Sequence, residues 1–291
     1  MWNSTEKTGL KEAGREGVRY VKADPSGNVT LIVADPVPRE AQGALARAIM
    51  ARDPQVEQVG FRETAAAPGA AGRLQMMGGE FCGNGSRSFA AMLALGAGDG
   101  GRPSGFREKK KELVIEVSGH PGVLTAEVEN LGEPDACTVE VGMPLPLELR
   151  HGGGSSLGPY SIAVFEGIVH VLLWGRTPSE EDFPLVRELL EQKEKLRADC
   201  WGVMFYDRGR DFMTPLVYVR GPDTKVWEGS CGSGSAAAAC ALAELEGAEQ
   251  KSFQIAQPGG VLSVRTEWSR HRKALYLGGT VKLTETGVFP L

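Results

Sequence analysis

Cys82-Gly-Asn-Gly-Ser-Arg-Ser-Phe-Ala-Ala-Met-Leu-Ala-Leu95 recurs in altered form as Cys231-Gly-Ser-Gly-Ser-Ala-Ala-Ala-Ala-Cys-Ala-Leu-Ala-Glu-Leu245. Each stretch opens on a cysteine with two glycines close behind it, then runs through small and apolar residues without proline or glycine, which predicts a loop entering a buried helix. The surroundings match as well. Val29-Thr-Leu-Ile-Val33 predicts a strand and Arg39 to Ala51 a helix ahead of the first box, while Ile168-Val-His-Val-Leu-Leu-Trp174 and Pro184 to Leu196 predict the same pair ahead of the second. Beyond the boxes, His120-Pro-Gly-Val-Leu-Thr125 aligns with Gln257-Pro-Gly-Gly-Val-Leu-Ser263. Each of these precedes a strand ending in glycine, Thr138-Val-Glu-Val-Gly142 and Ala274-Leu-Tyr-Leu-Gly278. From cysteine to Pro-Gly the interval is 39 residues in the first half and 27 in the second, and the Gly, Pro and charge-rich Gly96 to Lys111 reads as the inserted loop.

A repeat of this length predicts an α/β (α+β) fold of two pseudo-symmetric domains, each a mixed sheet around a central helix. The first would be residues 18–147, completed by 280–291, and the second residues 148–279. Glu63 to Gly72 reads as a loop, and the glycine-rich His151 to Pro159 as a linker between the halves.

With 42% hydrophobic and 24% charged residues in 291, the chain has the balance of a soluble globular protein. Its net charge is −5, and its one dense basic run, Arg107 to Lys111, meets Glu112 and a strand-like segment at once, so no broad basic face for nucleic acid or a membrane is expected. No stretch approaches the roughly 18 to 20 apolar residues of a spanning helix, and Met1 to Gly17 is polar and charged, so the expected location is the cytoplasm. Five cysteines without CxxC spacing point away from a disulfide framework and from a structural metal site. Cys137, Cys200 and Cys240 lack the flanking pattern and read as packed thiols.

A cysteine at a helix N-terminus faces unpaired backbone N–H groups and the positive dipole end, which favours its thiolate. Glycines beside it would let a ligand approach the amides and form an anion cradle. Two such thiols in related halves suit stereoinversion at carbon, in which one base takes a proton from one face and a second acid returns one to the other. The carbanion between those steps needs N–H donors at its carboxylate, and helix N-termini supply them without a cofactor. One thiolate and one thiol would form the starting pair. For either cysteine alone, a packed buried thiol is an equal reading, which the recurrence at matching positions disfavours. A nucleotide phosphate loop is the other alternative. It is disfavoured because the third glycine of a dinucleotide fingerprint is absent from both boxes, and no Gly-Lys-Ser/Thr follows.

On these residues the chain, from about Val18 onward, resembles the diaminopimelate epimerase superfamily. That resemblance implies catalytic roles for Cys82 and Cys231, no cofactor, no metal and a homodimer acting on an amino acid. It also implies substrate contacts at Gly83, Asn84, Gly232 and Ser233 of the boxes, at Asn28 of Ser26-Gly-Asn28, at Glu80 before the first box, and a histidine beside the thiols at His170. Taken without the resemblance, Asn28 is turn chemistry and His170 a core histidine. Glu228, three residues before Cys231, reads either as an exposed loop acid or as an acceptor for the substrate ammonium. The chain departs from the epimerases at Gly167-Ile-Val-His170 and Tyr218-Val-Arg-Gly221, where Ile168 and Val219 replace polar residues, and in the longer Pro222 to Trp227 segment. Lys22 to Val33, with Gly-Glu-Phe-Cys82 and Trp-Glu-Gly-Ser-Cys231, is most similar to the histidine racemases of opine-type metallophore pathways. Diaminopimelate epimerase, a racemase of another amino acid, and a non-catalytic amino-acid-binding protein remain as alternatives.

Overall fold

The computed structural model describes residues 17–220, 223–268 and 273–291. The polar start of the chain before Gly17, and Gly221 and Pro222 of the segment ahead of the second box, lie outside the described residues. The chain falls into two units, Met1–Gly142 with Gly278–Leu291, and Met143–Leu277.

The first unit runs β1 (Gly17–Asp24), β2 (Thr30–Val33), α1 (Arg39–Arg52), β3 (Gln58–Glu63), β4 (Arg73–Met76), α2 (Gly83–Ala94), β5 (Lys110–Val117), β6 (Val123–Asn130) and β7 (Ala136–Gly142). Both helices are crossovers between parallel strands, α1 from β2 to β3 and α2 from β4 to β5, a connection that parallel pairing requires. Strands β1 to β7 are neighbours in chain order, and the C-terminal strand lies between β7 and β1, so the sheet closes around α2. That helix touches β1, β2 and β4 to β7 and buries nearly every residue. Its Gly, Ser and Ala content follows from this, because a helix surrounded by sheet has room mainly for small side chains, with Phe89, Met92 and the buried Arg87 as large exceptions. On the outside, Leu45 and Ile49 of α1 pack against Val33, Val59 and Phe61.

The second unit runs β8 (Glu148–Ser155), β9 (Gly158–Phe165), β10 (Ile168–Trp174), α3 (Asp182–Glu188), β11 (Cys200–Asp207), β12 (Phe212–Val219), β13 (Thr224–Trp227), α4 (Gly232–Glu246), β14 (Gln250–Gln257) and β15 (Gly260–Trp268), followed by β16 (Lys273–Pro290), whose later part belongs to the first unit. Its sheet order is β15-β14-β12-β11-β10-β9-β8, with β13 on β12. Again α3 and α4 are crossovers between parallel neighbours, β10 to β11 and β12 to β14. Helix α4 buries Gly232 and Gly234 to Ala243 against β9, β10, β11, β14 and β15. The fold is a mixed α/β one, rich in strands with few helices.

Several sequence expectations need correction. His151 to Pro159 is a hairpin and not a linker: β8 pairs antiparallel with β9, with a bulge between Gly152 and Ser155. Gly152 is needed because a Cβ there would sit 2.3 Å from the Tyr160 ring on the opposite strand. The helix expected from Pro184 begins at Asp182, where Pro184 is harmless in the first turn, and continues from Leu189 to Lys193 as a π turn closed by Glu194 N–H to the Leu189 carbonyl (2.9 Å). Gly278 does not end its strand. β16 continues to Pro290 and pairs antiparallel with β1, from Gly17 opposite Pro290 to Asp24 opposite Lys282. Lys110 and Lys111, read as a loop end, are the first residues of β5, where Lys110 bonds Glu127 across the β6 pair.

Candidate active site

Cys82 is the N-cap of α2, in extended conformation (φ −132°, ψ 114°), so its side chain turns back over the first turn. Its Sγ accepts the Gly85 N–H at 3.2 Å, and its carbonyl accepts both the N–H (2.9 Å) and the hydroxyl (2.7 Å) of Ser86. The turn before it is held from outside. Ser118 Oγ donates to the Glu80 carbonyl (2.7 Å), and Gly119, at φ +67°, comes so close that a Cβ would lie 2.2 Å from the Phe81 nitrogen. Glu80 itself is exposed on that turn.

A polar chain extends from the sulfur. Cys82 Sγ donates to Gln58 Oε1 (3.0 Å), Gln58 Nε2 donates to Asn28 Oδ1 (2.6 Å) and Thr30 Oγ1 (2.7 Å), and Asn28 Nδ2 donates to Glu57 (2.9 Å). Asn28 is therefore buried in the support of Gln58 and is more than a turn residue. Gln58 was not singled out in the sequence. It opens β3, and only the parallel pairing of Thr30 with Gln58 brings it to Asn28. With its NH2 committed to Asn28 and Thr30, the Gln58 amide presents its oxygen to the sulfur and accepts from the thiol.

Cys231 is likewise an extended N-cap (φ −122°, ψ 109°), but no side-chain cap bond closes there. Gln257 fixes its backbone, accepting the Cys231 N–H (2.8 Å) and donating to Ser235 Oγ (3.0 Å), which in turn donates to the Cys231 carbonyl (2.8 Å). The sulfur lies 3.7 Å from Ser233 Oγ, and that hydroxyl is 2.9 Å from Nε2 of His170. His170 is fully buried on β10, opposite Gly202 of β11, where a Cβ would come within 2.8 Å of its Nδ1. Burial pushes the imidazole down to about 3, so it is neutral. Its Nδ1 has no hydrogen-bond partner among the described residues.

The two sulfurs differ electrostatically. Burial pushes the Cys231 thiol well above its ordinary range, and the Glu228 charge and a hydrogen bond with Glu228 push the same way; the Gly234 N–H and the Ser233 hydroxyl oppose them without prevailing. For this cysteine the lowering expected at a helix N-terminus does not prevail, because burial and Glu228 outweigh the Gly234 N–H. The second glycine of each box also has a plainer reason than ligand approach. A Cβ at Gly85 would lie 2.9 Å from Met76 Sδ, and one at Gly234 would lie 2.3 Å from Met204 Sδ. Cys137 and Cys240 are buried thiols pushed up to about 12, and Cys200 is half-buried. No three His, Cys, Asp or Glu residues are grouped to hold a metal among the described residues, and no described helix is long and apolar enough to cross a membrane.

The first unit thus gathers Cys82, Gly83, Asn84 and Asn28, with Glu80 on the turn leading in. The second gathers Cys231, Gly232, Ser233, His170 and Glu228. Comparison with known proteins identifies the family. The family described as histidine racemase CntK N-terminal domain matches residues 17–289. A histidine racemase of Fusobacterium nucleatum subsp. nucleatum is 30% identical over 280 residues, 92% of this chain and 94% of that protein. One from Staphylococcus aureus is 28% identical over 261 residues, 87% of this chain and 90% of that protein. Among solved structures, the PhzF-family phenazine biosynthesis protein of Bacillus anthracis superposes with a TM-score of 0.68 at 15% identity, over 95% of this chain and all (100%) of that one, a likeness of fold. The chain belongs to the histidine racemase CntK N-terminal domain family and is an isomerase of the racemase type.

Proposed function

We propose that the chain interconverts L- and D-histidine without a cofactor, with Cys82 and Cys231 as the two proton carriers. The observation that carries this reading is the pair of cysteines in corresponding settings, each the extended N-cap residue of a buried helix that opens on Gly-x-Gly-Ser. In the proposed reaction the thiolate of one cysteine takes the α-proton. The electron pair left on Cα spreads into the α-carboxylate, where helix N–H groups stabilise the added charge. The thiol of the other cysteine then delivers its proton to the opposite face, and the two sulfurs have exchanged states. Asn84 and Ser233, with the amides of Gly83 and Gly232, are the proposed contacts of the substrate carboxylate, and Asn28 and Glu80 complete the first box. Glu228 accepts the Cys231 S–H and is also the proposed acceptor for the substrate ammonium. His170 holds the Ser233 hydroxyl.

Histidine as the substrate is supported by the family and by relatives of that name. The physiological setting we propose is the supply of D-histidine to metallophore assembly, in the cytoplasm, by a homodimer that needs no nucleic acid or membrane. Chiral chromatography of purified protein with L-histidine and no added pyridoxal phosphate tests the reaction. Appearance of D-histidine is the expected result, and turnover of another amino acid alone would leave the racemase but remove this substrate. Light scattering in solution decides the dimer.

A further inference from the structure

Arg87 is fully buried in α2, five residues after Cys82, and its guanidinium folds back toward the N-terminal end of the helix. Nη1 donates to Asn84 Oδ1 (3.0 Å), and Nη2 donates to the carbonyls of Pro25 (3.3 Å) and Thr280 (3.1 Å). Its Nε has no partner among the described residues. All of these acceptors are neutral. A buried guanidinium held only by neutral groups is costly unless a counter-charge lies near. The charged or titratable groups around it are few. Asp24 on β1 acts on it at longer range and gives its carboxylate to the Gly27 N–H (2.6 Å); Cys137 on β7, pushed up to about 12 by burial, is a neutral thiol; Cys82 lies at the same helix end. At the corresponding position of the second box stands Ala236, and the charged neighbour of Cys231 is instead the carboxylate of Glu228.

We infer that Arg87 is the fixed counter-charge of the Cys82 sulfur, a positioning residue that keeps Cys82 as the thiolate base and leaves the resting proton on Cys231. This rests on the two-thiol reading above and assigns the starting states within it. The field is consistent from the other side. Burial draws the guanidinium down to about 10, and the negative charge of Cys82 is the foremost influence drawing it back. At neutral pH Arg87 therefore stays charged. The Gly85 N–H already points at the sulfur, and the Gln58 oxygen, which accepts from the thiol form, is the neighbour that opposes it. A cation and an N–H donor favour the anion at Cys82, while a carboxylate and burial favour the neutral thiol at Cys231.

Iodoacetamide alkylation of the whole protein between about pH 5 and 10, followed cysteine by cysteine through peptide mass spectrometry, tests the assignment. In the natural protein the Cys82 midpoint should lie at least about one unit below that of Cys231, and below the free-cysteine value of about 8.5. Arg87→Met should raise the Cys82 midpoint by at least about one unit and leave Cys231 in place, and Arg87→Lys, which keeps the charge, should stay within about half a unit of the natural protein. A purely structural Arg87 would not separate these two variants. If Arg87→Met does not fold, Arg87→Gln keeps donors for the Pro25 and Thr280 carbonyls while removing the charge, and the same criterion applies. A Cys82 midpoint at or above that of Cys231, or one that ignores loss of the charge, overturns the inference. Activity of Cys82→Ala tests the two-thiol reading separately, so the two can fail independently.

Discussion

Acid should destabilise the protein through His170 by an amount set by its burial. The imidazole is neutral when folded, pushed down to about 3 by desolvation alone, whereas in the unfolded chain it returns to its ordinary 6.5. Between those values the unfolded state binds the extra proton. The stability held in the neutral form is therefore complete above about pH 6.5 and is lost as pH falls toward the folded value. At pH 5 the solution is about 1.5 units below the unfolded group's ordinary pKa, and at about 1.36 kcal/mol per unit the loss is about 2 kcal/mol. This figure depends little on the folded value as long as that stays well below 5. Urea unfolding at pH 7 and pH 5, for the natural protein and for His170→Gln, isolates the effect from carboxylates that titrate in both. The natural protein should lose about 2 kcal/mol more than the variant over that interval. Equal losses would refute a buried neutral imidazole at this position.

Cys82→Ala and Cys231→Ala should each lower racemisation kcat by far more than tenfold with the fold intact by circular dichroism, while Cys137→Ala, Cys200→Ala and Cys240→Ala keep most activity; retention of a tenth of kcat, about 1.4 kcal/mol, by either box variant would remove that cysteine as a proton carrier. Gly119→Ala should cost about 2 to 4 kcal/mol in urea unfolding, because a Cβ at φ +67° meets the Phe81 backbone, and a loss under about 0.5 kcal/mol would contradict the contact. LL-diaminopimelate should be turned over at least about tenfold less efficiently in kcat/KM than L-histidine, since poorly paired distal charges in an active site cost more than about 1.4 kcal/mol. Side-by-side chiral chromatography reads the ratio, and faster turnover of diaminopimelate would reverse the substrate assignment.

Much of the arrangement around the cysteines was legible in the chain because it is local. Both boxes carry their own start signal, and the run from Ser86 to Leu95 or from Ser235 to Leu245 is too apolar and too free of glycine to be anything but a buried helix. The strands before them were legible by the same periodicity. What escaped was whatever depended on pairing across the sheet. Gln58 acquires meaning only when β3 lies parallel to β2, and Gln257 only when its side chain reaches back to the Cys231 backbone. The run Gly152-Gly-Gly154 has the composition of a linker, but packing against Tyr160 makes it a strand. Arg87 carries no signal in the sequence beyond its place in the first box. Its burial, and the neutral acceptors that leave its charge unbalanced, come from the closed sheet around α2. The raised Cys231 thiol has the same origin, since a helix start is visible in sequence but the dryness around it is not.

The central claim, that one cysteine removes the α-proton and a different one replaces it, is tested most directly by racemisation of L-histidine in D2O, sampled while little substrate has reacted. The thiol that donates has exchanged with solvent and carries deuterium, whereas the proton taken from the substrate goes to the other sulfur. Early D-histidine should therefore carry deuterium at Cα while the remaining L-histidine keeps its protium. Early D-histidine that is mostly protiated at Cα would show one base working on both faces, and would contradict the account.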